Sequence, residues 1–433
     1  MRISRKLKSP LAVSTTVFVT AALCVTGSSV AGATNDAHHG KRNSNANWFT
    51  SWGQSQQGLA TSTLTNQSVR MITHLSQGGD SLRIRIQNQF GTSPITIDSV
   101  AVGLSDNTVR VIPGTSRNVT FPGNGNGVTI PAGGQAWSNP INLRTHPQDD
   151  IAVSMYVAGS VTPGQHNGAR RDNYVTPAGS GNHVTESSGA SYTEVVTSTY
   201  FVSAVDVHNT KLIGTIVPYG SSVVDGTGST NCGPGCTITG NNQRWTDDLA
   251  RRIVAELPAN QQLAVANEGI GGTTSSAECV NEPDRVKGLE ANARLERDVL
   301  ALHGVTAVLY YYGTNDVQDN CTADQILSSY REAFKTLHEH GIEVFVTPIT
   351  PRPIYDDQMN IYRHAVNRVV TAYNTCHGLC DGIFNFDEVI QDDLNPNAIN
   401  LAYDNGDGIH ANIVGQQAEA DTIGLPMLVS SAR

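Results

Sequence analysis

The feature that most constrains this chain is a change of hydrophobic period near residue 211. From Trp48 to about Val207 the apolar positions repeat every two residues, and "SLRIRIQNQFG" (81–91) alternates Leu82, Ile84 and Ile86 with Arg83, Arg85 and Gln87. Successive side chains of a strand point to opposite faces, so this alternation predicts a strand with one apolar and one wet face. Further strands are expected at 69–75, 95–104, 127–132, 150–158 and 198–207, separated by Gly, Pro and Asn turns. Short strands at this spacing, with no convincing helical stripe among them, imply an all-β sandwich or jelly roll. In that half, "WFTSWGQ" (48–54) and "TPGQHNGARRDNY" (162–174) are read as core and loop packing, with surface recognition as the other reading.

After Lys211 apolar runs alternate with amphipathic ones. Strands are expected at 211–220, 305–313 and 342–350, a strand with its loop at 262–272, and helices at 242–257, 287–302, 323–341 and 358–374. Alternating β and α units imply a parallel sheet covered by helices on both faces. Ligands of such sheets sit at the carboxyl ends of the strands, which marks the loops starting at Gly220, Gly269 and Gly313. The 433 residues exceed one ordinary core, so two domains are expected, at 47–210 and 211–433.

Arg2, Arg5, Lys6 and Lys8 precede an uncharged stretch from Leu11 to Thr26 and a small-residue site, Ala31-Gly32-Ala33. This order predicts a signal peptide over 1–33, a flexible segment over 34–46, and a secreted, extracellular protein. The uncharged stretch falls short of the ~20 residues that a bilayer span needs and is interrupted by Ser and Thr, so no stable membrane insertion is expected. A formal net charge of −10, without a compensating basic cluster beyond the N-terminus, argues against nucleic acid as a partner.

Of seven cysteines, Cys24 lies in the leader and the other six all follow residue 230. An even number in an exported chain favours disulfides, and proximity suggests Cys232–Cys236, Cys376–Cys380 and, by elimination, Cys279–Cys321. Zinc fits poorly, because both close pairs are spaced C-x₃-C with only His377 nearby. Calcium at "DNGDG" (404–408) also fits poorly, because the ligand register and the distal glutamate of a calcium loop are missing. No cofactor motif is present, and no metal or cofactor is expected.

Each marked loop carries an unusual polar set: Gly220-Ser221-Ser222, "NEGIGG" (267–272) and Gly313-Thr314-Asn315-Asp316; near the C-terminus Asp407 stands three residues before His410. A serine hydrolase needs a hydroxyl nucleophile, an imidazole base, a carboxylate that orients the base, and donors for an oxyanion. The four segments contain every part. They do not fit the G-x-S-x-G turn of α/β-hydrolases, because Val224 stands where its second glycine belongs.

In this order, over roughly residues 211–420, the motifs resemble those of the SGNH hydrolases, also called GDSL esterases/lipases. Text such as "RLERDVLALHGVTAVLYYYGTND" (294–316) is similar to a secreted bacterial branch with an N-terminal β domain. The resemblance implies a flavodoxin-like three-layer α/β/α domain and carboxylic ester hydrolysis through an acyl-enzyme. It implies Ser222 as nucleophile, His410 as base and Asp407 as its orienter. The oxyanion donors would be Ser222, Gly272 and Asn315. Ser221 then occupies the position of the family's motif aspartate, where its hydroxyl is expected to hydrogen-bond within the turn, and Ala411 replaces the proline common after the histidine. Asp225 is expected to cap the turn after the nucleophile, and Asp316 to be a structural cap beside Asn315. Substrates would be small-molecule, lipid or polysaccharide esters. The alternatives are an acyltransferase or polysaccharide deacetylase using the same site, and a catalytically impaired surface- or carbohydrate-binding protein. The oligomeric state is open.

Overall fold

A computed structural model of the chain describes residues 45–123, 125–281 and 285–432. The expected signal peptide and most of the 34–46 segment lie outside the described residues. Asn45–Arg433 form one compact unit. Among the described residues no helix is long and apolar enough to cross a membrane.

The first half contains two antiparallel sheets that share one apolar core. One sheet runs in the order Trp48–Gly53, Val202–His208, Ser81–Gln87 and Gln135–Trp137. The other runs Glu194–Val196, Asn173–Val175, Leu64–His74, Asp150–Val161, Ser99–Ser105 and Arg117–Asn118. Ile84 pairs with Val205 and Leu82 with Val207. These four residues meet Val69, Met71, Val100, Val102, Val153 and Met155 of the second sheet in the same cluster.

The alternating strand 81–87 corrects an expectation. Its face carrying Arg83, Arg85 and Gln87 is not wet: Arg85 and Gln87 are fully buried. Arg83 reaches Asp206 at 2.7 Å, and Arg85 Nη1 donates to the carbonyl of Arg297 in the second half at 3.1 Å. A period of two reports which side chains share a face, not what covers that face, and here the second half covers it.

The second half is a five-stranded parallel sheet. In chain order its strands are Gly214–Gly220, Leu263–Val265, Val305–Tyr311, Glu343–Val346 and Gly382–Ile383, and across the sheet they run second, first, third, fourth, fifth. Both faces are apolar: Ile216, Leu263, Ala307 and Leu309 pack against the helices Trp245–Glu256 and Leu425–Ser430. Val217, Tyr219, Val308 and Tyr310 pack on the opposite side, beneath Ala323–Glu339 and Asp357–Thr371. In this order the sense in which successive strands are added reverses beside the first strand, opening a crevice between its carboxyl end and that of the third. The segment expected as one helix over 287–302 is instead a short α-helix, Ala291–Leu295, followed by a π-turn, Glu296–Leu300.

The cysteines pair as Cys232–Cys236, Cys279–Cys321 and Cys376–Cys380. Cys279–Cys321 closes 42 residues and ties the loop after the second strand to the turn after the third. The chain-entropy relation for a loop of that size gives about 4 kcal/mol at most. Replacing both cysteines by serine is therefore expected to lower unfolding free energy by about 2–4 kcal/mol, read as a fall in the urea midpoint. The same exchange at the short Cys376–Cys380 loop is expected to cost less.

Candidate active site

The first parallel strand is buried along its whole length and ends at Gly220, where a Cβ would lie 2.3 Å from the carbonyl oxygen of Tyr311. Only glycine allows so close an approach of neighbouring strands. The chain then turns at Ser221 into a single helical turn, Ser222–Asp225, closed by Gly226 in the left-handed region. This turn lifts Ser222 out of the sheet with its hydroxyl at the strand's carboxyl end.

Ser222 Oγ lies 2.8 Å from His410 Nε2, and His410 Nδ1 lies 2.7 Å from Asp407 Oδ2. The other carboxylate oxygen, Oδ1, accepts the backbone N–H groups of Ile409 at 2.8 Å and His410 at 2.9 Å. Three-residue spacing thus lets one carboxylate bind both the backbone and the ring of one turn. Burial alone would raise the Asp407 carboxyl, but the His410 side chain and these two backbone groups hold it well below the usual carboxylate range. An ionised Asp407 keeps the proton on Nδ1, which leaves Nε2 free to accept from the Ser222 hydroxyl.

The loop after the second strand closes on the Ser222 turn, and the loop after the third closes on that loop. Asn267 Nδ2 donates to the carbonyl of Val224 at 2.6 Å, and Ile270 N–H donates to the carbonyl of Gly220 at 3.0 Å. Gly269 lets the loop pass, since a Cβ there would stand 2.2 Å from the Asp225 nitrogen. Gly272 has φ of 78°. Asn315 follows Gly313, itself left-handed, and its Nδ2 donates to the carbonyl of Thr273 at 2.7 Å. The structure therefore joins the Gly272–Thr273 turn to Asn315. Among the described residues the backbone N–H groups of Ser222 and Gly272 donate to no protein acceptor. Asp316 accepts from the N–H and hydroxyl of Ser275, which fixes the same two loops together.

Two expectations are corrected. Ser221 Oγ is buried without a hydrogen-bond partner among the described residues, rather than bonding within the turn. Asp225 does not cap the turn: its carboxylate points into the first half of the chain. It accepts from His166 Nε2 at 3.0 Å and from Arg170 Nη2 at 3.0 Å. Burial would raise this carboxyl, but His166, Arg170 and Arg244 bring it down to about 2.

A second buried network lies beneath the same loops. The Arg294 guanidinium donates to the carbonyls of Gly220 at 2.9 Å and Glu268 at 2.8 Å, to Ser55 Oγ at 3.1 Å, and to Asp298 at 3.0 Å. Ser55 in turn donates to the Glu268 carboxyl group. Burial and the neighbouring Asp298 push the Glu268 carboxyl up, while Arg297 and Arg294 hold Asp298 down against its own burial. His166, Arg170, Ser55 and Arg294 were not singled out from the sequence; the one available signal was the adjacent pair Arg170-Arg171 in a weakly charged half. Among the described residues no group of three or more His, Cys, Asp or Glu is arranged to hold a metal ion.

Residues 219–418 match the family model described as GDSL-like Lipase/Acylhydrolase. No curated protein matches the chain. Among solved structures the chain is similar to the inhibitor-bound aryl esterase of M. smegmatis, at 18% identity and a TM-score of 0.36, over 48% of this chain and 94% of that one. It is also similar to Est24, a carbohydrate acetylesterase from Sinorhizobium meliloti, at 17% identity and a TM-score of 0.35, over 48% and 94%. A GDSL-like lipase from Bacteroides thetaiotaomicron matches at 17% identity and a TM-score of 0.34, over 51% and 90%.

The Asp225 carboxyl, ordinarily near 3.9 when unfolded, is depressed in the fold, so its stabilisation is full above that value and is lost as pH falls toward about 2. Asp225→Asn is expected to cost about 2–3 kcal/mol at pH 7, and the gap to the parent chain in thermal midpoint is expected to narrow between pH 4 and pH 2.

Proposed function

Residues 219–418 belong to the GDSL-like lipase/acylhydrolase family and make this chain a carboxylic ester hydrolase, and from that premise we propose a secreted serine esterase or lipase whose nucleophile is Ser222. The observation that carries the reading is the unbroken relay of 2.8 Å from Ser222 Oγ to His410 Nε2 and 2.7 Å from His410 Nδ1 to Asp407. Ser222 Oγ attacks the ester carbonyl carbon as its proton passes to His410 Nε2. The carbonyl oxygen takes up the negative charge among the N–H groups of Ser222, Gly272 and Asn315. Collapse expels the alcohol, which takes the proton from His410, and leaves an acyl group on Ser222. Water then attacks the acyl carbon with His410 as base and frees the acid.

The motif aspartate replaced by Ser221 is not needed in this scheme, because Asp407 supplies the carboxylate. The relay favours an active enzyme over an impaired binding protein, and the same acyl-enzyme serves either hydrolysis or transfer to another acceptor. The antiparallel first half is read as a β-sandwich, and secretion is supported by the three disulfides in the described chain.

Hydrolysis of nitrophenyl esters of graded chain length tests the reading. Ser222→Ala is expected to remove nearly all turnover and labelling by a fluorophosphonate, whereas Ser221→Ala keeps both. Activity of the Ser222 variant equal to the parent chain would refute the mechanism. Asn315→Ala is expected to lower kcat by about 10²–10³-fold, the usual loss for one oxyanion donor.

A further inference from the structure

An asparagine can serve an oxyanion only through its NH₂ end; turned over, it presents a lone pair to a negative charge. Asn315 is held one way round by Arg352, in the loop after the fourth strand. Arg352 Nη1 donates to Asn315 Oδ1 at 3.0 Å and to Gln318 Oε1 at 2.7 Å. A guanidinium has donors and no acceptor, so the end of Asn315 that faces it is the oxygen, and the NH₂ end is turned toward the carbonyl of Thr273. The loop that carries Arg352 is itself pinned on this turn, where Tyr355 OH donates to the carbonyl of Thr314 at 2.6 Å.

Arg352 is buried on neutral acceptors alone, as Arg70 and Arg85 are in the first half. It is 3% exposed, and its Nε and Nη2 have no hydrogen-bond partner among the described residues. Other buried arginines near the strand ends are paired with carboxylates: Arg294 with Asp298, and Arg363 with Asp387. No carboxylate lies within salt-bridge distance of Arg352 among the described residues; its acceptors are two neutral amide oxygens. An arginine stays charged in any protein environment, and a buried charge without a partner is costly. The charge that would offset it arises next to Asn315 only when an ester carbonyl becomes an oxyanion. Stabilisation that appears only in the transition state raises kcat rather than tightening substrate binding.

We propose that Arg352 is a positioning residue for the oxyanion site: it fixes the orientation of the Asn315 amide and adds positive potential behind it. This rests on the reading of Ser222 and Asn315 given above.

The test is kcat and KM for nitrophenyl acetate with the full chain, for Arg352→Lys, Arg352→Gln, Arg352→Met, Asn315→Ala and the Arg352→Met/Asn315→Ala double variant, with Ser222→Ala as control. Arg352→Met is expected to lower kcat at least about 30-fold, without exceeding the ~10²–10³-fold loss that removal of a whole oxyanion donor carries, with KM moving less than about threefold. Arg352→Lys, which keeps the charge, and Arg352→Gln, which keeps a donor, should each recover part of the loss. In the Asn315→Ala background, Arg352→Met should cost less than about threefold more, because residues that act through one group are not additive. The proposal is overturned by a kcat for Arg352→Met within twofold of the parent, or by a loss that persists undiminished without Asn315. If Arg352→Met does not fold, the Lys and Gln variants carry the comparison: their kcat must fall in the parent background and be nearly unchanged relative to Asn315→Ala in that one. Full activity of Ser222→Ala would instead sink the underlying mechanism, whatever the Arg352 variants do.

Discussion

The fold depends on one buried guanidinium. Arg294 binds the carbonyl of Gly220, the last residue before the nucleophile turn, and that of Glu268, in the loop that leads to Gly272. Backbone carbonyls at strand ends have lost their ladder partners and must find donors elsewhere. By satisfying two of them from one rigid planar fork, Arg294 fixes the spacing between two loops that the sheet itself no longer controls. Its ring contact with Tyr219, 4.3 Å from the guanidinium carbon to the ring centroid, holds the fork in plane beneath them.

Such a residue cannot be buried alone. Asp298 offsets its charge, Arg297 shares that carboxylate, and Ser55 from the first half accepts from the same Nη1 that binds Asp298. Arg85, from the strand that looked wet, fills the space behind with its own donor on the Arg297 carbonyl. Removing one partner of a buried charged set typically costs about 3–5 kcal/mol, because the remainder is left uncompensated. The contact between the halves is therefore polar where it runs through this network, while elsewhere Ala204 and Trp137 of the first half pack into the second half's cluster and Ala264 of the second half into the first's.

What was legible in the sequence was local. The change of period at residue 211, the strand-end glycines, and the spacing of Asp407 and His410 all act over a few residues; the structure hydrogen-bonds Ser222, His410 and Asp407 in a row, and Asn315 to the Gly272–Thr273 turn. What was not legible depends on distant partners. Ser55 and Glu268 are 213 positions apart, and His166 and Asp225 are 59 apart. Asp225 looked like a cap because caps are the common use of an acidic residue beside a turn; its partner lay in a segment with no motif. The segment 287–302 has a helical period, yet its α-helix ends at Leu295, just after Arg294, and widens into a π-turn that carries Arg297 and Asp298.

The Asp225 contact also bears on how the molecule is built. The first half of the chain leaves the ribosome before the nucleophile turn exists, yet it holds the His166 and Arg170 that receive Asp225. The Asp225 carboxylate thus finds its two side-chain hydrogen-bond donors, His166 and Arg170, only against a finished first half. On the proposed mechanism, lesions far from Ser222 in the antiparallel half are expected to surface as lost turnover, because the turn that carries Ser222 ends on a carboxylate held by that half.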